Sequence, residues 1–167
     1  TIYEKILKAK PDHLLALENL GIIFSQLKKF EKAKELFKKT IKINPEYAEG
    51  HNNLGNVLFE LSEYDKSLES YEEAVKIDPN FSDAFNNIGN VYQKKENINK
   101  AIENYELAIS LNSRFNKDKP YYNLGNIFRA LGNFKKSIDF YKKAIDINQN
   151  SVEAYINLSI SLNENGN

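Results

Sequence analysis

Residues 48–81 read AEGHNNLGNVLFELSEYDKSLESYEEAVKIDPNF, and the rest of the chain is built from variants of this 34-residue unit. The period is marked by prolines and glycines that stand 34 residues apart, namely Pro11, Pro45 and Pro79 together with Gly21, Gly55 and Gly89. A fixed period of this length is typical of stacked supersecondary units that contact mainly their neighbours. The sequence therefore predicts a repeat architecture rather than a globular domain with one central core.

Alignment on these marks divides the chain into four whole units with a half unit at each end. We expect whole repeats at 14–47, 48–81, 82–115 and 118–151. A junction insertion at 116–117 separates the third repeat from the fourth. Residues 1–13 are expected to be the second half of a preceding repeat, and residues 152–167 the first helix of a further repeat or a cap. All units belong to one predicted solenoid domain, which we expect to be a segment of a longer protein because it opens halfway through a repeat.

Apolar residues within each unit recur at spacings of three, four and seven, which indicates helices rather than strands. In the second repeat the first helix carries Leu54, Gly55 and Leu58, and the second helix carries Tyr71 and Ala74. Glycine inside a helix costs about 1 kcal/mol relative to alanine, so its recurrence at one position indicates a close approach of the paired helix. The prediction is an all-α fold of helical hairpins.

Composition excludes several classes of function. The 167 residues include 23 basic and 23 acidic side chains, and this balance disfavours binding driven by the charge of nucleic acids or membranes. There is no cysteine, which removes thiol catalysis and disulfides, and the two histidines, His13 and His51, are too isolated to indicate a metal site. We therefore expect no enzyme activity, no catalytic residue, no metal and no cofactor.

No apolar run approaches the length needed to span a membrane. Nothing at the N-terminus has the features of a signal peptide. We expect a cytoplasmic location, although targeting signals could lie outside this segment.

The units share a large residue followed by Leu-Gly or Ile-Gly in the first helix, and a small residue, an aromatic and another small residue in the second. This pattern resembles the tetratricopeptide repeat (TPR), and all four units follow most of it. The resemblance implies a right-handed α-α superhelix, or solenoid, in which each repeat's first helix lines a concave groove. Two junctions depart from the pattern, since Ser113 and Gln149 replace the closing proline.

Asparagine recurs at positions that line the concave groove in this family. The first column, found in all five first helices, is Asn19, Asn53, Asn87, Asn123 and Asn157. The second column, about one turn further on in three of them, is Asn56, Asn90 and Asn126. Asparagine is only a middling helix former, and its amide offers both a donor and an acceptor to the backbone of an extended peptide.

These columns resemble the asparagine ladder in the repeat arm of O-GlcNAc transferases. Each contact is worth roughly 0.5–1.5 kcal/mol, so a ladder would need several of them to hold a peptide. Asparagine is also common at these places in the family generally. The alternative is that the columns form hydrogen bonds between repeats without any ligand.

Charge along the predicted groove is uneven. Lys94, Lys119 and Arg129 lie in its middle, whereas Glu18, Glu49, Glu60, Asp83, Glu153 and Glu164 lie towards its ends. One interpretation is a ligand with an acidic centre, and the other is a solvated face without selected charges. Tyr122 offers an aromatic anchor. The carboxylate clamp of chaperone cochaperones is disfavoured because Asn52 and Asn123 stand where two cations are required.

We therefore predict a non-enzymatic protein–protein interaction scaffold that binds an extended peptide or a partner helix in the concave groove. The expected partner is a protein or peptide, with no nucleic acid and no membrane. Two alternatives stay open at this point. The chain could be the substrate-recognition arm of a larger enzyme such as an O-GlcNAc transferase, or an assembly module that self-associates through its end helices.

Overall fold

A computed structural model of the protein describes residues 1–111 and 118–166. Within those ranges it contains ten helices and no strand. The helices are α1 Ile2–Ala9, α2 Leu14–Gln26, α3 Phe30–Ile43, α4 Ala48–Glu60, α5 Tyr64–Ile77, α6 Ser82–Lys94, α7 Ile98–Ser110, α8 Asp118–Ala130, α9 Phe134–Ile147 and α10 Val152–Gly166. The predicted all-α class is confirmed. The predicted insertion at 116–117 and the substitution at Ser113 lie outside the described residues.

The helices pair as hairpins, each made of a first helix and the second helix that follows it. The pairs are α2 with α3, α4 with α5, α6 with α7, and α8 with α9. The first helices of these pairs begin at Leu14, Ala48, Ser82 and Asp118, which are the first residues of the four predicted repeats. Helix α10 is a further first helix that packs against α9, and α1 packs against α2.

The chain divides into two compact units, the N-terminal unit Thr1–Pro79 and the C-terminal unit Asn80–Asn167. Each unit has its own buried core between first and second helices. The core of the N-terminal unit contains Ala33, Phe37, Leu54, Val57 and Leu58. One core cluster of the C-terminal unit contains Ala101, Tyr105, Leu124 and Ile127. The assignment of all repeats to one domain stays a prediction.

The recurring glycine of the first helix lies against the ring of a buried aromatic residue from the second helix. A Cβ atom added to Gly55 would lie 2.5 Å from Cε1 of Tyr71, and one added to Gly89 would lie 2.6 Å from Cε1 of Tyr105. Real Cβ atoms do not approach other carbons so closely. The close contact predicted at this position is therefore confirmed, and its partner is a ring rather than backbone.

The turn inside each hairpin contains one residue with left-handed backbone. It lies two residues after the end of the first helix, and φ is 56°, 60°, 59° and 72° at Lys28, Ser62, Glu96 and Gly132. The N–H of the next residue donates to a carbonyl five residues back, as Glu63 does to Leu58 at 2.9 Å. This bond ends the first helix and sets the direction in which the second helix returns.

Candidate functional site

The second column of asparagines is held by buried tyrosine hydroxyls. Each ring lies against the glycine that precedes the asparagine, and its hydroxyl donates to the asparagine Oδ1. The donor–acceptor distances are 2.8, 2.7 and 2.7 Å for the pairs Tyr71–Asn56, Tyr105–Asn90 and Tyr141–Asn126. Burial raises the pKa of these tyrosines above its usual range. The usual range already lies well above neutral pH, so the hydroxyls are protonated donors there.

In the C-terminal unit the first column is joined to this network. The Nδ2 of Asn123 donates to the Oδ1 of Asn90 and to the Oδ1 of Asn86, at 3.1 Å in both cases. The Nδ2 of Asn157 donates to the Oδ1 of Asn126 at 3.0 Å and to the Tyr122 hydroxyl at 3.1 Å. Each of these amides links its own first helix to the first helix of the preceding repeat. The inter-repeat alternative raised from the sequence is therefore favoured for Asn123 and Asn157.

The N-terminal unit lacks this arrangement in its first repeat. The residue 15 positions before the second-helix aromatic is Ile22 rather than asparagine, and the aromatic is Phe37 rather than tyrosine. The Nδ2 of Asn19 donates to the carbonyl of Leu15 in its own helix at 2.7 Å. Across residues 1–111 and 118–166, no hydrogen bond is formed by the side chain of Asn53. The positions of the preceding repeat that correspond to Asn86 and Asn90 hold Glu18 and Ile22.

An open cleft lies beside Asn53, between α2, α3 and α4. We call it the N-terminal cleft, and its volume is about 420 Å³. Its apolar lining residues are Ile22, Phe30, Phe37 and Val57. Its polar lining residues are Ser25, Gln26, Lys28, Asn53, Asn56 and Glu60. A lining that combines apolar surface with polar groups is typical of a ligand-binding pocket.

The remaining predicted residues lie in the C-terminal unit and are only partly brought together. Lys119 and Tyr122 line a cleft of about 250 Å³ that also contains Glu153. The Tyr122 ring lies 5.9 Å from the ring of Tyr141, measured between centroids. The Nε of Arg129 is buried and has no hydrogen-bond partner among the described residues. Neither Arg129 nor the exposed Lys94 lines the cleft of Lys119, and Asn87 is half-buried on α6.

Charge differs between the first helices of the two units. The only charged residues of α2 and α4 are acidic, namely Glu18, Glu49 and Glu60. Glu18 accepts a hydrogen bond from the Tyr47 hydroxyl, and burial together with this carboxylate raises the Tyr47 pKa. The first helices of the C-terminal unit also carry basic residues, which are Lys94 on α6 and Lys119 and Arg129 on α8. The acidic part of the predicted groove thus includes both first helices of the N-terminal unit.

Sequence reasoning identified the asparagine columns but missed the tyrosines that hold the second one. A signal was present, because asparagine and tyrosine are separated by 15 residues in three repeats and both change together in the first. The two residues that change, Ile22 and Phe37, both line the N-terminal cleft.

The described residues offer neither a metal site nor a membrane-spanning helix. In the described ranges, no cluster of three or more His, Asp or Glu residues is arranged to hold a metal ion. None of the ten helices is both long enough and apolar enough to cross a lipid bilayer.

Comparison with known proteins agrees with this architecture. A family described as "TPR repeat" matches residues 55–96, and families described as "Tetratricopeptide repeat" match residues 80–150, 15–47 and 36–69. Together these matches extend from residue 15 to residue 150. A search of curated proteins gave no match.

Several solved structures are similar along most of the chain. MamA is 26% identical with a TM-score of 0.74, over 90% of this chain and 87% of that one. PilF of Pseudomonas aeruginosa is 20% identical with a TM-score of 0.84, over 91% and 68%. YrrB is 17% identical with a TM-score of 0.71, over 100% and 85%. The α-α solenoid fold class is thereby confirmed, and the chain belongs to the tetratricopeptide repeat family.

Proposed function

We propose that the chain is a non-enzymatic scaffold that binds an extended peptide along the faces of its first helices. Tetratricopeptide repeats and the similar repeat structures support a protein-interaction scaffold. What we add to that scaffold role is the kind of ligand, an extended peptide, and its binding site, the faces of the first helices. The observation that carries them is the amide of Asn53, which has no hydrogen bond within the described chain and lies at the edge of an open cleft.

An asparagine amide without a protein partner suits an extended peptide. It can donate to a backbone carbonyl and accept from a backbone N–H of the same strand. Each such bond contributes roughly 0.5–1.5 kcal/mol, which is too little for a stable complex by itself. Burial of a peptide side chain in the adjoining N-terminal cleft would supply the larger part of the affinity.

The other asparagines are proposed to contribute one hydrogen-bonding group each. Since Asn123 and Asn157 use Nδ2 within the protein, their Oδ1 atoms are the groups that can accept from a peptide N–H. The Oδ1 atoms of Asn90 and Asn126 accept from tyrosine, so their Nδ2 groups are the ones that can donate. Further contacts are proposed for a set of first-helix residues comprising Asn19, Asn56, Asn87, Lys94, Lys119, Tyr122 and Arg129.

One structural relative bears on the choice of ligand. YrrB is described as "a TPR protein with an unusual peptide-binding site". At 17% identity it shares the fold, and its binding property is its own. It is a reason to test peptides before other ligands.

The test is to select peptides from a random linear library on the chain and to titrate the best of them into isotope-labelled protein. We expect amide chemical-shift changes to be concentrated in α2, α4, α6, α8 and α10. Changes concentrated in the second helices α3, α5, α7 and α9 would contradict the proposed face. Failure to select any peptide above background would contradict the proposed function.

Self-association is a second candidate function. Helix α10 exposes several large apolar side chains, with Val152 at 64%, Ile156 at 53% and Tyr155 at 49% exposure. Sedimentation velocity over a wide concentration range tests it, since a monomer at every concentration would exclude it. The role of substrate-recognition arm in a larger enzyme and a cytoplasmic location stay hypotheses.

A further inference from the structure

We infer that the N-terminal cleft selects peptides in which a large apolar side chain stands next to a basic residue. The inference rests on the proposed peptide-binding function and names the chemistry of its ligand. It comes from the difference between the first repeat and the other three, together with the charge of the two first helices beside the cleft, α2 and α4.

The cleft lies where the first repeat lacks the tyrosine–asparagine pair. In the C-terminal unit, Asn123 reaches Asn90, and Asn90 in turn accepts from the hydroxyl of Tyr105. In the first repeat, Ile22 takes the place of that asparagine and Phe37 takes the place of that tyrosine. Ile22 and Phe37 therefore place carbon surface where the other repeats have an amide and a hydroxyl, and the polar connection that Asn90 makes to the next first helix has no counterpart here.

The lining favours a large apolar side chain. Ile22, Phe37 and Val57 offer carbon surface, and a volume of about 420 Å³ is within the range of pockets that hold small ligands. A polar side chain placed there would lose water without gaining a partner from these three residues. The amide of Asn53 at the rim is placed to hold the backbone of the same peptide residue or its neighbour.

Charge complementarity favours a basic residue beside that apolar one. Glu60 lines the cleft, and Glu18 and Glu49 are the other charged residues of α2 and α4. Neither Glu49 nor Glu60 forms an ion pair with another described residue. Lys28, in the turn after α2, is the basic residue of the lining. Glu60 and Lys28 thus balance within the lining, and the acidic excess lies on α2 and α4, where Glu18, Glu49 and Glu60 attract lysine or arginine on a ligand that runs along the first helices.

The experiment converts the first repeat to the pattern of the others with the double substitution Ile22→Asn and Phe37→Tyr. The pair already occurs three times in this chain, so the variant is expected to fold, and circular dichroism during thermal unfolding verifies this. Peptides selected from a random linear library on the unaltered chain are then measured against both proteins. Asn104→Ala is the control, because Asn104 lies on a second helix, where its Nδ2 donates to the Lys100 carbonyl.

We expect the selected peptides to share a large apolar residue adjacent to lysine or arginine. Their affinity should fall roughly tenfold or more for the double variant and stay unchanged for the control. Ser25→Phe provides a second way to fill the cleft, because the corresponding position of the second repeat already holds Phe59. It should weaken the same peptides.

The failures of the two proposals are distinguishable. Peptides that bind the unaltered chain, the double variant and Ser25→Phe equally would overturn the cleft as the site while leaving peptide binding intact. Selected peptides that are acidic, or that lack a large apolar residue, would overturn the inferred chemistry. If no peptide is enriched, both the inference and the proposed function are wrong.

Discussion

The hydroxyl of Tyr105 donates to the Oδ1 of Asn90 at 2.7 Å, and the same oxygen accepts from the Nδ2 of Asn123 at 3.1 Å. Asn90 therefore joins the second helix of its own repeat to the first helix of the next. The same arrangement is formed one repeat later by Tyr141, Asn126 and Asn157. A column that resembles a ligand ladder in the sequence is thus also part of the packing between repeats.

Removal of one of these hydroxyls should lower stability. We expect Tyr105→Phe to reduce the free energy of unfolding by about 0.5–1.5 kcal/mol, because the ring stays buried and only the hydroxyl's hydrogen bonding to Asn90 and Gln93 is lost. Urea denaturation measures the change. Tyr155→Phe is the matched control, since Tyr155 is 49% exposed, and it should have no measurable effect. Equal stabilities for Tyr105→Phe and the unaltered chain would refute the structural role of the hydroxyl.

Two asparagines of the first column should respond differently to alanine. Asn123→Ala removes donors to Asn86 and Asn90 and is expected to cost about 1 kcal/mol of stability. Asn53→Ala removes no hydrogen bond of the described structure, and alanine is the better helix former. It should therefore be neutral or stabilising by a few tenths of a kcal/mol. A larger loss of stability for Asn53→Ala than for Asn123→Ala, measured by urea denaturation, would be incompatible with the assigned contacts.

The helical glycines should not accept a side chain. Gly89→Leu places a Cβ 2.6 Å from Cε1 of Tyr105, and the forced separation of the two helices should cost roughly 1–3 kcal/mol. Gly166→Ala is the control, because a Cβ there meets no atom within 4 Å. Thermal unfolding distinguishes them, and an unchanged melting temperature for Gly89→Leu would count decisively against the close contact.

Acid should weaken a bridge between the first two repeats. Lys66 and Lys34 donate to the Glu63 carboxylate, at 2.6 and 2.9 Å, and lower its pKa to about 2. A carboxyl whose pKa is lower in the folded state than in the unfolded state stabilises the fold at pH values above its unfolded-state pKa. That stabilisation is lost as the pH falls from the unfolded-state pKa of about 4.3 through the folded-state pKa.

A titration of the Glu63 carboxyl by NMR should thus have its midpoint near pH 2. Unfolding measured at neutral pH and at about pH 3 should show a smaller acid-dependent loss for Glu63→Gln than for the unaltered chain. Glu69→Gln, at an exposed position on α5, serves as the control. An ordinary midpoint for Glu63 would mean that the bridge is not maintained in solution.

Much of the fold could be predicted from the sequence because it depends on local periodicity. The helical spacing and the recurrent Gly55 and Gly89 indicate hairpins with a close contact, and the first helices begin where the repeats were expected to begin. The left-handed turn residues could not be predicted in the same way. Three of them, Lys28, Ser62 and Glu96, are not glycine, so the sequence does not mark them as left-handed. The geometry of the hairpin imposes their φ values.

The site was harder to predict because hydrogen-bond partners depend on distances between helices. One asparagine column looks uniform in sequence, yet Asn157 donates to two neighbours while Asn53 donates to none in the described chain. The difference is determined by the preceding repeat, through Ile22 and Phe37 in one case and Asn126 in the other. A pattern within one repeat does not contain that information.

The most direct test is to follow the side-chain amide NMR signals of the first column before and after addition of a selected peptide. We predict that the Asn53 signal shifts most, because its amide gains its first hydrogen bonds, whereas the signals of Asn123 and Asn157 shift less because their Nδ2 groups keep their partners within the protein. If the Asn123 and Asn157 signals shift and that of Asn53 does not, the peptide is not held at the N-terminal cleft and the account is contradicted.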